Sequence, residues 1–249
     1  MSEISVEQAL KIAIDEHQSG HFQRAQELYV MILQRDPGNV DAIHLLGVLA
    51  NQGKKPEMAV ELIERAVAAR PTEPIFRYNF SDCLYKVGRK EDAVNELKEA
   101  VRISPDYYEA WNNLSQILVE LQRFPEAVEA ANEAYELADD PAIPLNNLGN
   151  AYRGLGQMDK AKECYEEAVA ERDDLPELLS NLAIICSLEG DFDRSIKLLR
   201  RCIEVSPAFA DAYNNLGTIY LRRGQLEESA EMLQMALKIK PDYVDAINN

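Results

Sequence analysis

The sequence has few of the residues that chemistry needs. Histidine occurs only three times in 249 residues, as His17, His21 and His44. A His-based triad or metal centre would have to be built from that end alone. The four cysteines, Cys83, Cys164, Cys186 and Cys202, show no C-x-x-C pair, so zinc and dithiol redox sites are not expected and the thiols read as reduced core residues. No cofactor is expected and no catalysis by this chain. Positive charge is scarce too: 26 Lys and Arg face 43 Asp and Glu, a net charge of −17. Nucleic acid is excluded as the natural partner, because affinity for a polyanion comes from many cations that release counterions. An anionic membrane surface is disfavoured for the same reason. No apolar run approaches the length of a membrane span, and Met1 to Val6 carries neither a basic nor an apolar leader segment. The expectation is a cytoplasmic protein. Alternating Val/Ile/Thr runs are missing as well, which argues against strands.

What the sequence does have is a period. Pro37, Pro71 and Pro105 lie 34 apart, and the same step leads to Asp139, Asp173, Pro207 and Pro241. Gly20, Lys54, Gly88, Gln122, Gly156, Gly190 and Gly224 keep that step, as do Ala25, Ala59, Ala93, Ala127, Ala161, Ser195 and Ser229. The chain therefore divides without insertions into units 6–39, 40–73, 74–107, 108–141, 142–175, 176–209 and 210–243, with 244–249 starting an eighth. Within a unit the apolar residues fall at i, i+3, i+4 and i+7, as in Trp111, Leu114, Ser115 and Leu118 or Tyr213, Leu216, Gly217 and Tyr220. A second stripe, such as Ala161, Tyr165 and Ala168, follows the mid-unit Gly position. Each unit reads as two helices joined by a tight turn.

The punctuation agrees. The mid-unit Gly suits the left-handed residue that closes a helix. Pro56 and Pro125 fall in the first turn of second helices, and Pro74, Pro144 and Pro176 in the first turn of first helices, where a missing N–H costs little. The small residues of the Ala25 series let the two helices of a unit approach closely.

The 34-residue step, the Trp/Leu…Leu-Gly…Tyr pattern, the second-helix Ala…Tyr…Ala and the closing Pro resemble the tetratricopeptide repeat over nearly the whole chain. The resemblance implies an all-α, right-handed superhelical solenoid of about seven helix-turn-helix units plus a truncated eighth, with the first helices lining a concave groove. The first unit, with Ala9, Ile12, Ala13 and Glu16 at its core positions, departs most from the pattern, as an N-terminal cap with one solvated side would. The repeat restarts at Val244 and stops at Asn249, where an array would carry a polar cap, so the chain reads as a fragment of a longer protein.

Function is sought in residues that the core does not need. Counting from the first residue of each unit, positions 4, 7, 8 and 11 share one face of the first helix, and positions 2, 6, 9 and 13 the opposite one. Position 6 holds Asn79, Asn113, Asn147, Asn181 and Asn215, with Asn249 continuing the column; the first two units have Lys11 and Leu45 there. Asn costs about 0.5–0.7 kcal/mol relative to Ala inside a helix, so the column calls for a reason beyond helix stability. A carboxamide offers a donor and an acceptor together, matching a peptide backbone. With helices about 8–10 Å apart and an extended chain rising about 3.3 Å per residue, each Asn would meet about every third residue of a bound peptide. The expected grip is weak and tolerant of sequence, in the micromolar range. Asp82, Gln116 and Asn150 lie on the same face and complete the candidate site. A clamp for a terminal carboxylate is not supported, since Glu109, Asn112, Asn113, Glu177 and Asn181 stand where its Lys and Arg would be. Duplication alone also accounts for a repeated Asn-Asn-Leu-Gly. The eight acids and one base of residues 108–141 read mostly as a solvated outer face, with docking of a basic partner as the alternative.

Three functional readings follow. The first is a scaffold without chemistry that holds an extended segment of a partner protein in the groove. The second rests on resemblance: Asp41-Ala-Ile-His-Leu-Leu-Gly47 and Asp211-Ala-Tyr-Asn-Asn-Leu-Gly217, with the Asn column, resemble the repeats of O-linked N-acetylglucosamine transferases. That resemblance implies a substrate-selecting region of a glycosyltransferase, with the ladder role falling on Asn79, Asn113, Asn147, Asn181 and Asn215. The third is self-association into a homo-oligomer through an uncapped C-terminal seam.

Overall fold

The computed structural model describes residues 4–249. The described residues form fifteen α-helices and no strand. First helices are α1 (Val6–Gln18), α3 (Val40–Gln52), α5 (Pro74–Lys86), α7 (Tyr108–Glu120), α9 (Ala142–Gly154), α11 (Pro176–Leu188) and α13 (Ala210–Arg222). Second helices are α2 (Phe22–Arg35), α4 (Pro56–Ala69), α6 (Lys90–Ile103), α8 (Phe124–Leu137), α10 (Met158–Glu171), α12 (Phe192–Val205) and α14 (Leu226–Ile239); α15 is Val244–Asn248. Every first helix of the seven begins at the first residue of its expected unit, and the all-α class is as expected.

The turns show why the period is so regular. All seven residues of the mid-unit series adopt positive φ, five as glycine and two as Lys54 (φ 57°) and Gln122 (φ 59°). After six of them the next residue makes a backbone bond back into the first helix, as Lys55 N–H does to Ala50 O at 2.9 Å, so the chain reverses within three residues. Pro56, Pro74 and Pro176 are the first residues of their helices, where they replace an N–H with no partner to lose.

The chain forms two compact units, one ending at Leu121 and the other running from Gln122 to Asn249. In the first, α1 packs on α2, α3 on α4 and α5 on α6, and each second helix also packs on the next first helix. In the second, α9 with α10, α11 with α12 and α13 with α14 repeat that arrangement, and α11 also touches α13. The Ala25 series is fully buried at the crossing points, and its two serines keep their hydroxyls satisfied: Ser195 Oγ donates to Ala183 O at 2.7 Å and Ser229 Oγ to Gly217 O at 2.8 Å. At position 8 of α9 a glycine leaves room for the facing ring. A Cβ on Gly149 would lie 2.5 Å from the Tyr165 ring. The first unit is solvated on one side, with Ala9 and Ala13 buried and Ile12 exposed. Trp111 is half-buried and donates from Nε1 to Pro105 O at 2.9 Å.

Candidate functional site

The Asn column does stand on the first helices, but its amides are anchored. Asn79 Nδ2 donates to His44 Nε2 at 2.9 Å, Asn113 Nδ2 to Tyr78 Oη at 3.1 Å, Asn181 Nδ2 to Asn146 Oδ1 at 2.8 Å and Asn215 Nδ2 to Ser180 Oγ at 3.2 Å. Asn249 Nδ2 repeats this on Asn214 Oδ1 at 3.0 Å. Each partner lies 35 residues back, at position 5 of the preceding unit, so the bonds join successive first helices. Asn147, 6 % exposed, is the most enclosed of the series and has an interaction of its own. The expectation of carboxamides standing free for a ligand is therefore revised. The amide nitrogen of each anchored Asn joins successive repeats, and Asn249 Nδ2 also reaches Thr218 Oγ1 at 3.3 Å. The helix-propensity cost of the column has a structural return.

The same rule explains why the column starts at the third unit. Position 5 of the first unit is Leu10, and position 6 of the second is Leu45; both pack on one apolar cluster with Ala9, Leu28 and Leu46. An apolar pair does there what a hydrogen bond does later in the chain.

His44 is the most constrained of the position 5 partners. It is 6 % exposed and its ring stacks on Phe76 at 4.1 Å between centroids. Burial lowers its pKa from 6.5 to about 4, with Asp41 opposing the shift and Arg70 adding to it. The ring is thus neutral at pH 7. Because an amide nitrogen only donates, His44 Nε2 is the acceptor and Nδ1 carries the proton. Tyr78, the acceptor for Asn113, also sits beside Tyr107 at 5.2 Å, and burial raises its pKa.

The remaining candidates divide. Asp82 accepts from Asn51 Nδ2 at 2.6 Å and from Lys86 Nζ at 2.8 Å, so it is engaged by its own surroundings. Asn150 Oδ1 accepts from Tyr165 Oη at 2.8 Å. Gln116 is exposed and hydrogen-bonds Glu120, which also accepts from Tyr85 Oη at 2.8 Å and pairs with Lys90 at 2.8 Å. The cysteines are free thiols whose pKa values burial pushes up, to about 12 for Cys83 and Cys202, so they are poor nucleophiles. Among the described residues no cluster of His, Cys, Asp or Glu could hold a metal ion, and no helix is long and apolar enough to cross a membrane.

One feature of this face escaped the sequence reading. Between α11 and α13 lies a cleft of about 120 Å³. Buried Leu199 and Ile219 form its floor, and Ile184, Leu188, Asn215, Thr218 and Arg222 are among its walls. Ile184 and Leu188 occupy positions 9 and 13, where the units from 74, 108, 142 and 210 carry polar residues or glycine. That apolar pair was the available signal.

Tetratricopeptide repeat models match residues 16–78, 78–142, 140–208 and 174–242, which together run from 16 to 242. The chain belongs to the tetratricopeptide repeat family. No curated protein matches it by sequence. Solved structures share the fold: a tetratricopeptide repeat protein from Parabacteroides merdae (16 % identity, TM-score 0.80, covering 98 % of this chain and 96 % of that one) is one. Another is the type IV pilus biogenesis factor PilW (18 % identity, TM-score 0.74, 85 % and 98 % covered). A third is YrrB, described as having an unusual peptide-binding site (23 % identity, TM-score 0.54, 76 % and 97 % covered). These repeats make interaction scaffolds, and their fold is generally non-catalytic.

Proposed function

We propose that this tetratricopeptide repeat chain binds an extended segment of a partner protein along its first helices, on the face of positions 2, 6, 9 and 13. The anchored Asn column supports this reading. A carboxamide held by one N–H cannot rotate freely, so its remaining donor and acceptor are preorganised and lose little entropy when a main chain meets them. In the second compact unit Asn181 and Asn215 are half-buried, and neither Oδ1 is a buried atom without a partner. YrrB, which shares the fold, is described as binding a peptide.

The test is selection of blocked dodecapeptides from a displayed random library on the full chain, followed by titration against the double variant Asn181→Ala, Asn215→Ala. Retained helicity with at least tenfold weaker binding is the expected result. Equal affinity for the variant would show that the selected peptides bind elsewhere and would remove the role of the column.

A further inference from the structure

We infer that the cleft between α11 and α13 is a side-chain subsite that seats one aliphatic residue of the bound segment and places a neighbouring carboxylate on Arg222. This rests on the peptide-binding reading above and adds the identity of two ligand residues.

Size argues first. A cleft of about 120 Å³ is far below the roughly 300–1,000 Å³ of a pocket for a drug-sized molecule. It compares with the roughly 150 Å³ apolar cavity that holds one benzene, so it suits a single side chain. Its chemistry selects the kind. The floor is hydrocarbon from Leu199 and Ile219, and Leu188 stands 58 % exposed at the mouth. A leucine, isoleucine or methionine entering there would cover Leu188 and displace water from Ile184.

Charge selects the neighbour. Among the described residues Arg222 makes no ion pair; its one contact is a long one, from Nη1 to Ser187 Oγ at 3.5 Å. The adjacent Arg223 is paired with Asp193, and Arg194 with Glu166. Arg222 is thus a cation without a carboxylate beside an apolar cleft, and a guanidinium offers a fork that a carboxylate fits with two bonds. The surrounding sequence is tuned the same way: residues 176–225 carry six acids and six bases, net zero, within a chain of net charge −17. An acidic segment that most of this surface would repel is tolerated here.

The probe is the blocked hexapeptide Ala-Asn-Leu-Glu-Asn-Ala, titrated into the full chain carrying 13C-labelled Ile and Leu methyls. Its two relatives have Ala in place of Leu, or Lys in place of Glu. The expected result is shifts at Ile184, Leu188 and Ile219, with affinity at least fivefold weaker for either relative. Arg222→Gln should abolish the preference for Glu over Lys and keep that for Leu over Ala. Ser187→Leu, which fills the mouth of the cleft, should abolish the preference for Leu. Shifts along α9, α11 and α13 without discrimination between the peptides would overturn the subsite while leaving the peptide-binding face intact. No shift on those helices with any probe would overturn both.

Discussion

The two compact units solve the same problem with different side chains. In the unit ending at Leu121 the position 5 partners are the rings of His44 and Tyr78, and the face around them is closed by its own polar groups: Asp82 holds Asn51 and Lys86, and Glu120 holds Tyr85 and Lys90. In the unit from Gln122 the partners are the small groups of Asn146, Ser180 and Asn214, and beside Ser180 and Asn215 the face opens into an apolar cleft next to an unpaired arginine. The joint between repeats is thus fixed while the surface it leaves over is free to vary. Position 6 joins successive repeats in both units, while the residues at positions 9 and 13 differ between them.

That contrast is easiest to break at the anchoring bond itself. Asn79→Ala should cost about 2–3 kcal/mol, because it leaves His44 Nε2 buried without a donor, whereas Asn215→Ala should cost about 0.5–1 kcal/mol, the net worth of one long bond between neutral groups. Urea unfolding of both variants measures the difference; equal losses would mean that the partner does not matter.

The pH dependence of the first unit follows from the same histidine. His44 is neutral in the fold, with its pKa lowered from 6.5 to about 4, so the unfolded chain takes up the proton first. Its contribution is fully present above about pH 6.5 and is lost as pH falls toward 4, amounting to about 2 kcal/mol between pH 7 and pH 5. Asp41, Arg70, Phe76 and Asn79 surround it. His44→Asn recreates the amide-to-amide joint of Asn181 with Asn146 and should flatten the stability profile from pH 7 to 5. An unchanged slope would place the acid sensitivity elsewhere.

Backbone packing gives a smaller contrast. Gly149→Ala in the second unit would press a Cβ to 2.5 Å from the Tyr165 ring, which is stiff and fully buried. Overpacking of about 1–3 kcal/mol is partly offset by the better helix propensity of Ala, leaving a net loss of about 1–2 kcal/mol by thermal or urea unfolding. At Gly47 in the first unit the facing atoms belong to Ile63 and Leu62, which have rotamers to shift, so the same change should cost less.

The architecture was legible because every level of the sequence carries it. The 34-residue step alone places the starts of Val40, Pro74, Tyr108, Ala142, Pro176 and Ala210, and the Gly20 series places the turns. The Asn column was legible as a column, but its bonds between repeats were not. Asn79 to Asn215 were recognisable as a column, yet the residue that makes sense of each is 35 earlier, and the partners His44, Tyr78, Asn146 and Ser180 share no residue type, only an accepting atom. A search for identical residues at a fixed step finds the donors and passes over the acceptors. Asp82 and Asn150 looked available for the complementary reason: their partners, Asn51 with Lys86 and Tyr165, belong to other positions of the unit. The cleft needed the packing of α11 on α13 before Ile184 and Leu188 became more than two apolar residues out of pattern.

The smallest expected effect has the opposite sign and treats the two units alike. Lys54 in the first and Gln122 in the second occupy the left-handed turn position that five other repeats give to glycine. A side chain there crowds its own carbonyl, whereas glycine adopts the conformation at no steric cost but loses more freedom on folding. The balance favours glycine by about 0.5–1 kcal/mol for each of Lys54→Gly and Gln122→Gly. Because neither residue touches the position 5 and 6 joints, the two gains should add within about 0.3–0.5 kcal/mol in the double variant. They should also leave peptide affinity unchanged. A loss of stability at either site would mean that the side chain of Lys54 or Gln122 contributes contacts worth more than the strain of its backbone, and the turn series could no longer be treated as one repeated conformational requirement.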